Sequence, residues 1–206
     1  FPNNILDMGY ADLGPLFFIA PWVFLFLVPA VTMRSFSEER RTGTIELLLT
    51  KPLTELQLVL AKYIASVVLV LIALLPTLVY WYSLNDLAMP RGNLDNGGII
   101  GSYIGLFFLA SSFAAIGVFA SAITENQVVA FMIAVFIAFF LFIGFDLIAS
   151  FDAFGALEGP IKAIGIQDHY ASLSRGVLDL RDVIYFMAII GVFLLLTRAA
   201  LQSRRW

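Results

Sequence analysis

The chain contains no cysteine and a single histidine, His169, and only 13% of its 206 residues carry a charge. Without cysteine there is no disulfide framework, no thiolate metal site and no thiol nucleophile, and redox compartment is left open. One histidine argues against a Ser-His-Asp arrangement, and no His/Asp/Glu set with metal-ligand spacing is present. No G-x-x-x-x-G-K-S/T segment and no dinucleotide fingerprint occur, so no cofactor is expected in this chain. The net charge of −3 is too small to suggest a nucleic-acid partner. What is abundant is apolar: 61% of residues are hydrophobic, mean hydropathy is +0.94, and there are 20 phenylalanines. Soluble domains carry about 25% charged residues, so this chain has too little charge to coat a globule.

Five stretches are long and apolar enough to cross a bilayer, at about 13–33, 56–84, 97–124, 126–145 and 183–200. The last has its apolar core at Val183–Thr197 and is lengthened by snorkelling of Arg198. The expectation is an all-α integral membrane bundle forming a single domain. Basic residues set its orientation. Arg34, Arg40, Arg41, Lys51, Lys62, Arg198, Arg204 and Arg205 fall to one side, and Arg91, Lys162, Arg175 and Arg181 to the other. The richer side is expected to be cytoplasmic, with Trp206 inside and Phe1 outside. An outside start and no initiator methionine predict a sixth span before Phe1. Between spans four and five, residues 146–182 carry Phe151, Phe154, Leu157, Ile161 and Ile164 at helical spacing, punctuated by Gly155, Gly159-Pro160 and Gly165. Short helices at the outer interface are expected there.

Against this background "MRSFSEERRTGTIELLLTKP" is a concentration of charge, holding Arg34, Glu38, Glu39, Arg40, Arg41, Glu46 and Lys51. Ser35 and Glu38 have capping-box spacing, as do Thr54 and Gln57. Gly43 can take a left-handed conformation and bend the chain, and Pro52 ends a second short turn. On a helix, Ile45, Leu48 and Leu49 share one face, while Glu39, Thr42, Glu46 and Thr50 share the other. A topology signal alone explains basic residues at this place about as well as a docking element does.

The order of residues favours docking. "FSEERRTGTIELLLTKPLTELQLVLAKY" resembles the ABC-2 type permeases, whose first cytoplasmic loop carries E-R-x-x-G-T-x-E-x-L-L followed by a proline and a lysine. Glu39, Arg40, Gly43, Thr44, Glu46, Leu48, Leu49, Pro52 and Lys62 occupy the matching positions. "IGVFASAITENQVVAF" and "DHYASLSRGVLDLRDVIYF" extend the resemblance to the gliding-motility-associated permeases, with nitrous-oxide-reductase maturation permeases as cousins. The resemblance implies a six-span permease whose loop, with Glu38 and Arg41 included, docks into a dimer of separate ATP-binding subunits. ATP and Mg would be bound by that partner. It also implies a second permease copy or homologue, and a companion membrane protein with an extracytoplasmic domain. The alternative is a non-transporting subunit that passes force to a partner through residues 146–182, with Asp146, His169, Arg175 and Asp179 as its polar contacts.

Lys62 and Asp146 are the ionisable residues read as lying inside spans, both near span ends where snorkelling is inexpensive. Gly101 with Gly105, Ser111 with Ala115, and Gly117 with Ser121 form small-xxx-small pairs that let helices approach, within the chain or between copies. Pro21, Pro29 and Pro76 release backbone carbonyls inside spans and permit kinks.

Overall fold

The computed structural model describes residues 12–45, 54–88, 94–150, 158–176 and 178–203. Among these residues the regular structure is entirely helical: α1 (Gly14–Thr32), α2 (Ser37–Arg41), α3 (Glu55–Leu74), α4 (Leu78–Leu87), α5 (Asn96–Ile123), α6 (Gln127–Phe139), α7 (Phe145–Ala149), α8 (Glu158–Lys162), α9 (Ile166–Ser174) and α10 (Leu180–Gln202). A 3₁₀ turn at Leu75–Thr77 joins α3 to α4, and a π turn at Phe140–Gly144 joins α6 to α7. Five helical stretches are thus long and apolar enough to span a membrane among the described residues.

The bundle is organised around α5. This helix packs on α1, α3, α6, α9 and α10, and 78% of its most apolar window is buried, against 22–39% for the other four spans. Its sequence explains the position. Glycine, alanine and serine supply little side-chain bulk, so neighbouring backbones come close and dispersion contacts accumulate without a hydrophobic driving force. A Cβ on Gly117 would fall 1.9 Å from Thr32 Oγ1 in α1, and one on Gly101 would fall 2.5 Å from the Leu173 carbonyl. Both glycines are therefore spent on packing within the chain. The outer spans do the reverse. Phe18 and Leu87 are each 74% exposed and Phe136 is 71% exposed. Large apolar side chains standing out on every flank require a lipid surround.

Helix ends are set by local chemistry. Thr54 and Gln57 form the expected reciprocal capping box at the start of α3. Asp95 accepts from the Gly98 N–H at 3.0 Å to start α5, Asn126 accepts from Val128 to start α6, and Asp179 accepts from Arg181 to start α10. Ser35 and Glu38 do not form the anticipated box. Phe36 is the N-cap of α2, with no side-chain cap bond. The reason is continuity: the Ser35 N–H already donates to the Thr32 carbonyl, and the Ser37 hydroxyl donates back to Met33. A chain that runs on from one helix into the next leaves few free donors to cap.

The spans differ from the sequence expectation at their ends. The second runs from Glu55 to Leu87 and passes through a 3₁₀ turn that contains Pro76. The fourth continues past Phe145 to Ala149, so Asp146 is a helical residue, half-buried. The fifth begins at Leu180, which places Asp182 inside the helix and not at its border.

Candidate functional site

Arg34, Arg40, Arg41, Lys62 and Arg198 gather at the end of the bundle where α5 terminates. Here α2 lies against α5 and α6. Phe36 is fully buried and packs with Leu58, Val59, Val118, Ala122, Leu194 and Leu201. Two charged residues of α2 turn inward with it. Lys62 donates to Glu39 Oε1, and the same ammonium lies 5.8 Å from the Phe36 ring centroid. Arg40 is only 9% exposed, and its Nη1 donates to the carbonyl of Ala122 in the last turn of α5. That carbonyl belongs to a set left without helical donors, and a cation at a helix C-terminus also meets a favourable dipole. The remaining face of α2 points away: Glu38, Arg41, Thr42, Gly43 and Thr44 are exposed. Gly43 takes φ +70°, the left-handed region that glycine tolerates, and Thr42 and Thr44 close the end of α2 by donating to the Glu38 and Glu39 carbonyls. Arg41 also borders a recess of about 360 Å³ whose other wall is the α5–α6 turn at Glu125–Val128.

The opposite end is built on α9, which sits in the bundle with Ile166, His169, Tyr170 and Leu173 buried. His169 Nδ1 lies 2.6 Å from Asp182 Oδ1, its Nε2 lies 3.0 Å from the Ala163 carbonyl, and its ring stacks on Tyr185 at 3.8 Å. A carbonyl only accepts, so the Ala163 contact takes Nε2–H as its donor, while Nδ1 lies within hydrogen-bond distance of the Asp182 carboxyl. The Tyr170 hydroxyl donates to the Phe17 carbonyl at 2.8 Å. Pro21 has no N–H to give that carbonyl, so a side chain from α9 supplies the missing donor. Burial pushes the Tyr170 hydroxyl above its ordinary pKa. Beside it a cleft of about 350 Å³ is lined by Phe17, Trp22, Phe142, Gln167, Tyr170 and Ser174. Half-buried Lys162 and exposed Glu158 pair at 2.6 Å on α8.

A family model described as "ABC-2 family transporter protein" matches residues 3–202, nearly the whole chain. The chain belongs to the ABC-2 transporter family. It is a multi-pass membrane component of the transport class and not a catalytic chain, and such permeases typically work with ABC ATPase subunits. None of the curated proteins searched matches it.

In this ABC-2 permease the residues singled out from the sequence divide into three groups. Glu38, Arg41, Gly43 and Thr44 form one exposed strip. Glu39 and Arg40, grouped with them by sequence, are turned into the bundle, because their partners Lys62 and the Ala122 carbonyl lie there. Glu46, Leu48 and Leu49 lie outside the described residues. At the far end Arg175 and Asp179 are exposed, Asp146 is half-buried, and His169 is buried in its pair with Asp182. Sequence reading missed Asp182 because its placement at a span border hid its burial. It missed Tyr170 because a released carbonyl announces itself through Pro21 but its donor does not.

Proposed function

We propose that the chain is a permease subunit in which the exposed strip of α2, continued by residues 46–50, docks an ATPase subunit on the cytoplasmic side. The observation that supports this reading is the two-sided α2. A short charged helix fixed to the central helix on one face and presenting Glu38, Arg41 and Thr44 on the other is built as a handle. The positive-inside rule then makes this end cytoplasmic in a bacterial inner membrane, with the C-terminus inside. ATP-driven closure of two ATPase subunits would move two permease subunits, identical or homologous, between inward- and outward-open states. Such coupling needs the two states to bind the ATPases differently. Export is the direction we favour, and gliding motility the process, with a companion membrane protein on the outer side.

The alternative is a subunit that transmits force or regulation to that companion without a transport pathway. It draws on α9, whose Ile166, His169, Tyr170 and Leu173 are buried in the bundle while Gln167 and Asp168 stay exposed for a partner. Pull-down of the tagged chain from native membranes in mild detergent tests the main reading. A nucleotide-binding protein should co-purify, and should be lost when Glu46→Lys or Arg41→Glu is introduced without loss of membrane insertion. Normal co-purification with both reversals would sink the handle. Substrate-stimulated ATP hydrolysis in vesicles separates transport from force transfer.

A further inference from the structure

We infer that Arg40 is a positioning residue that hands movement of α2 to α5, and that α5 delivers it to α9 at the far side of the membrane. The inference rests on the proposed docking at α2 and goes beyond it, because it assigns the buried charge of α2 to transmission and separates it from the docking surface. Three observations carry it. Arg40 is buried and bonded to the last turn of α5, although 82 residues separate it from Ala122. A charge-assisted hydrogen bond from one guanidinium N–H to a backbone carbonyl is directional, so a shift of α2 pulls on that helix end or breaks the bond. Next, α5 is one uninterrupted helix of 28 residues, about 42 Å long at the usual rise, with no proline to absorb displacement. Finally, its other end is in backbone contact with α9. Gly101 has no room for a Cβ against the Leu173 carbonyl and the Gly176 Cα, and Ser102 Oγ donates to the Ser174 carbonyl at 3.1 Å. A rod gripped tightly at both ends moves as a unit, because packed interfaces re-seat between discrete arrangements and do not stretch.

The absence of cysteine makes the test direct. Gln167→Cys places a single thiol on the exposed rim of the far cleft. In membranes holding the permease with its bound ATPase, the labelling rate of this thiol by a membrane-impermeant maleimide is measured with ATP, with a non-hydrolysable analogue, and with neither. The rate should change with nucleotide in the parent. Arg40→Met, which keeps the stem and removes the fork, should leave the ATPase bound and abolish that change, and Arg40→Lys should restore part of it. If Arg40→Met does not accumulate, Gly101→Ala decides the question from the other end, since it leaves the grip intact and forces α9 off α5. A full nucleotide response in either folded variant overturns the inference. So does release of the ATPase by Arg40→Met, because Arg40 would then be a docking residue. Failure of any ATPase to bind the parent chain removes the proposed function itself, an outcome the same preparation shows before any labelling.

Discussion

At the scale of single residues, the far end of the bundle is held by polar groups that answer specific vacancies. Tyr170 and Pro21 are the clearest pair. Removing the hydroxyl in Tyr170→Phe leaves the buried Phe17 carbonyl with neither a helical nor a side-chain donor, and the expected loss is about 1–3 kcal/mol of stability. Pro21→Ala restores a backbone N–H at the right place in α1. In that background Tyr170→Phe is expected to be markedly less harmful, so a double-mutant cycle in detergent should return a coupling free energy of the order of 1 kcal/mol. Additive effects would show that the tyrosine does not substitute for the missing helical donor. Asp182 is a second case. It is 4% exposed and faces His169, and Asp182→Ala strands the ring nitrogen in a dry setting. Leaving a buried hydrogen-bonding group without its partner costs about 1–3 kcal/mol. Thermal unfolding should register that loss, while a substitution at exposed Asp179 limited to its cap should register about 1 kcal/mol.

At the scale of elements, what could be read in advance followed from hydrophobic length, and what could not followed from tertiary contact. Five spans are evident from apolar runs, and the 3₁₀ turn at Pro76 follows from proline's missing N–H, since both are local properties, whereas Pro21 and Pro29 lie inside an uninterrupted α1. The end of the fourth span was hidden because Asp146 breaks the apolar run without breaking the helix, and the start of the fifth because Asp182 looks like a boundary until its partner His169 is seen. The two faces of α2 were only half legible. Helical spacing puts Arg40 and Arg41 about 100° apart, but which of the two meets α5 depends on where that helix ends. Likewise, the small-xxx-small pattern predicts close approach without naming the neighbour. For Gly117 the neighbour is Thr32 of α1. Gly117→Ala should therefore overpack the α1–α5 seam and destabilise by about 1–3 kcal/mol. Thr32→Ala removes the nearest atom, Oγ1, and should recover part of that loss when combined with it. A half-buried glycine, Gly191 on α10, has nothing within 4 Å of an added Cβ and gives the control, expected to tolerate alanine.

At the scale of the whole molecule, the arrangement places a charged grip at one end of α5, a sealed polar cluster at the other, and a lipid-facing sheath between. The orientation we propose makes a prediction independent of any partner. Thr44 is exposed beside α2 and Gln167 is exposed at the far cleft, so single cysteines at these two positions report opposite sides of the membrane. In right-side-out vesicles an impermeant thiol reagent should label the Gln167→Cys chain and spare the Thr44→Cys chain until the membrane is opened. In inverted vesicles the pattern should exchange. Labelling of Thr44→Cys from the outside would invert the molecule and put the α2 handle beyond reach of any cytoplasmic ATPase, whatever the resemblance of its motif. Because basic residues near short loops bias insertion, reversal of the exposed Arg34 and Arg41 together is expected to raise the fraction of misoriented chains. The two reporters measure that fraction directly, and the same preparation separates a lost topology signal from a lost docking site: chains that stay correctly oriented but release the ATPase have lost only the handle.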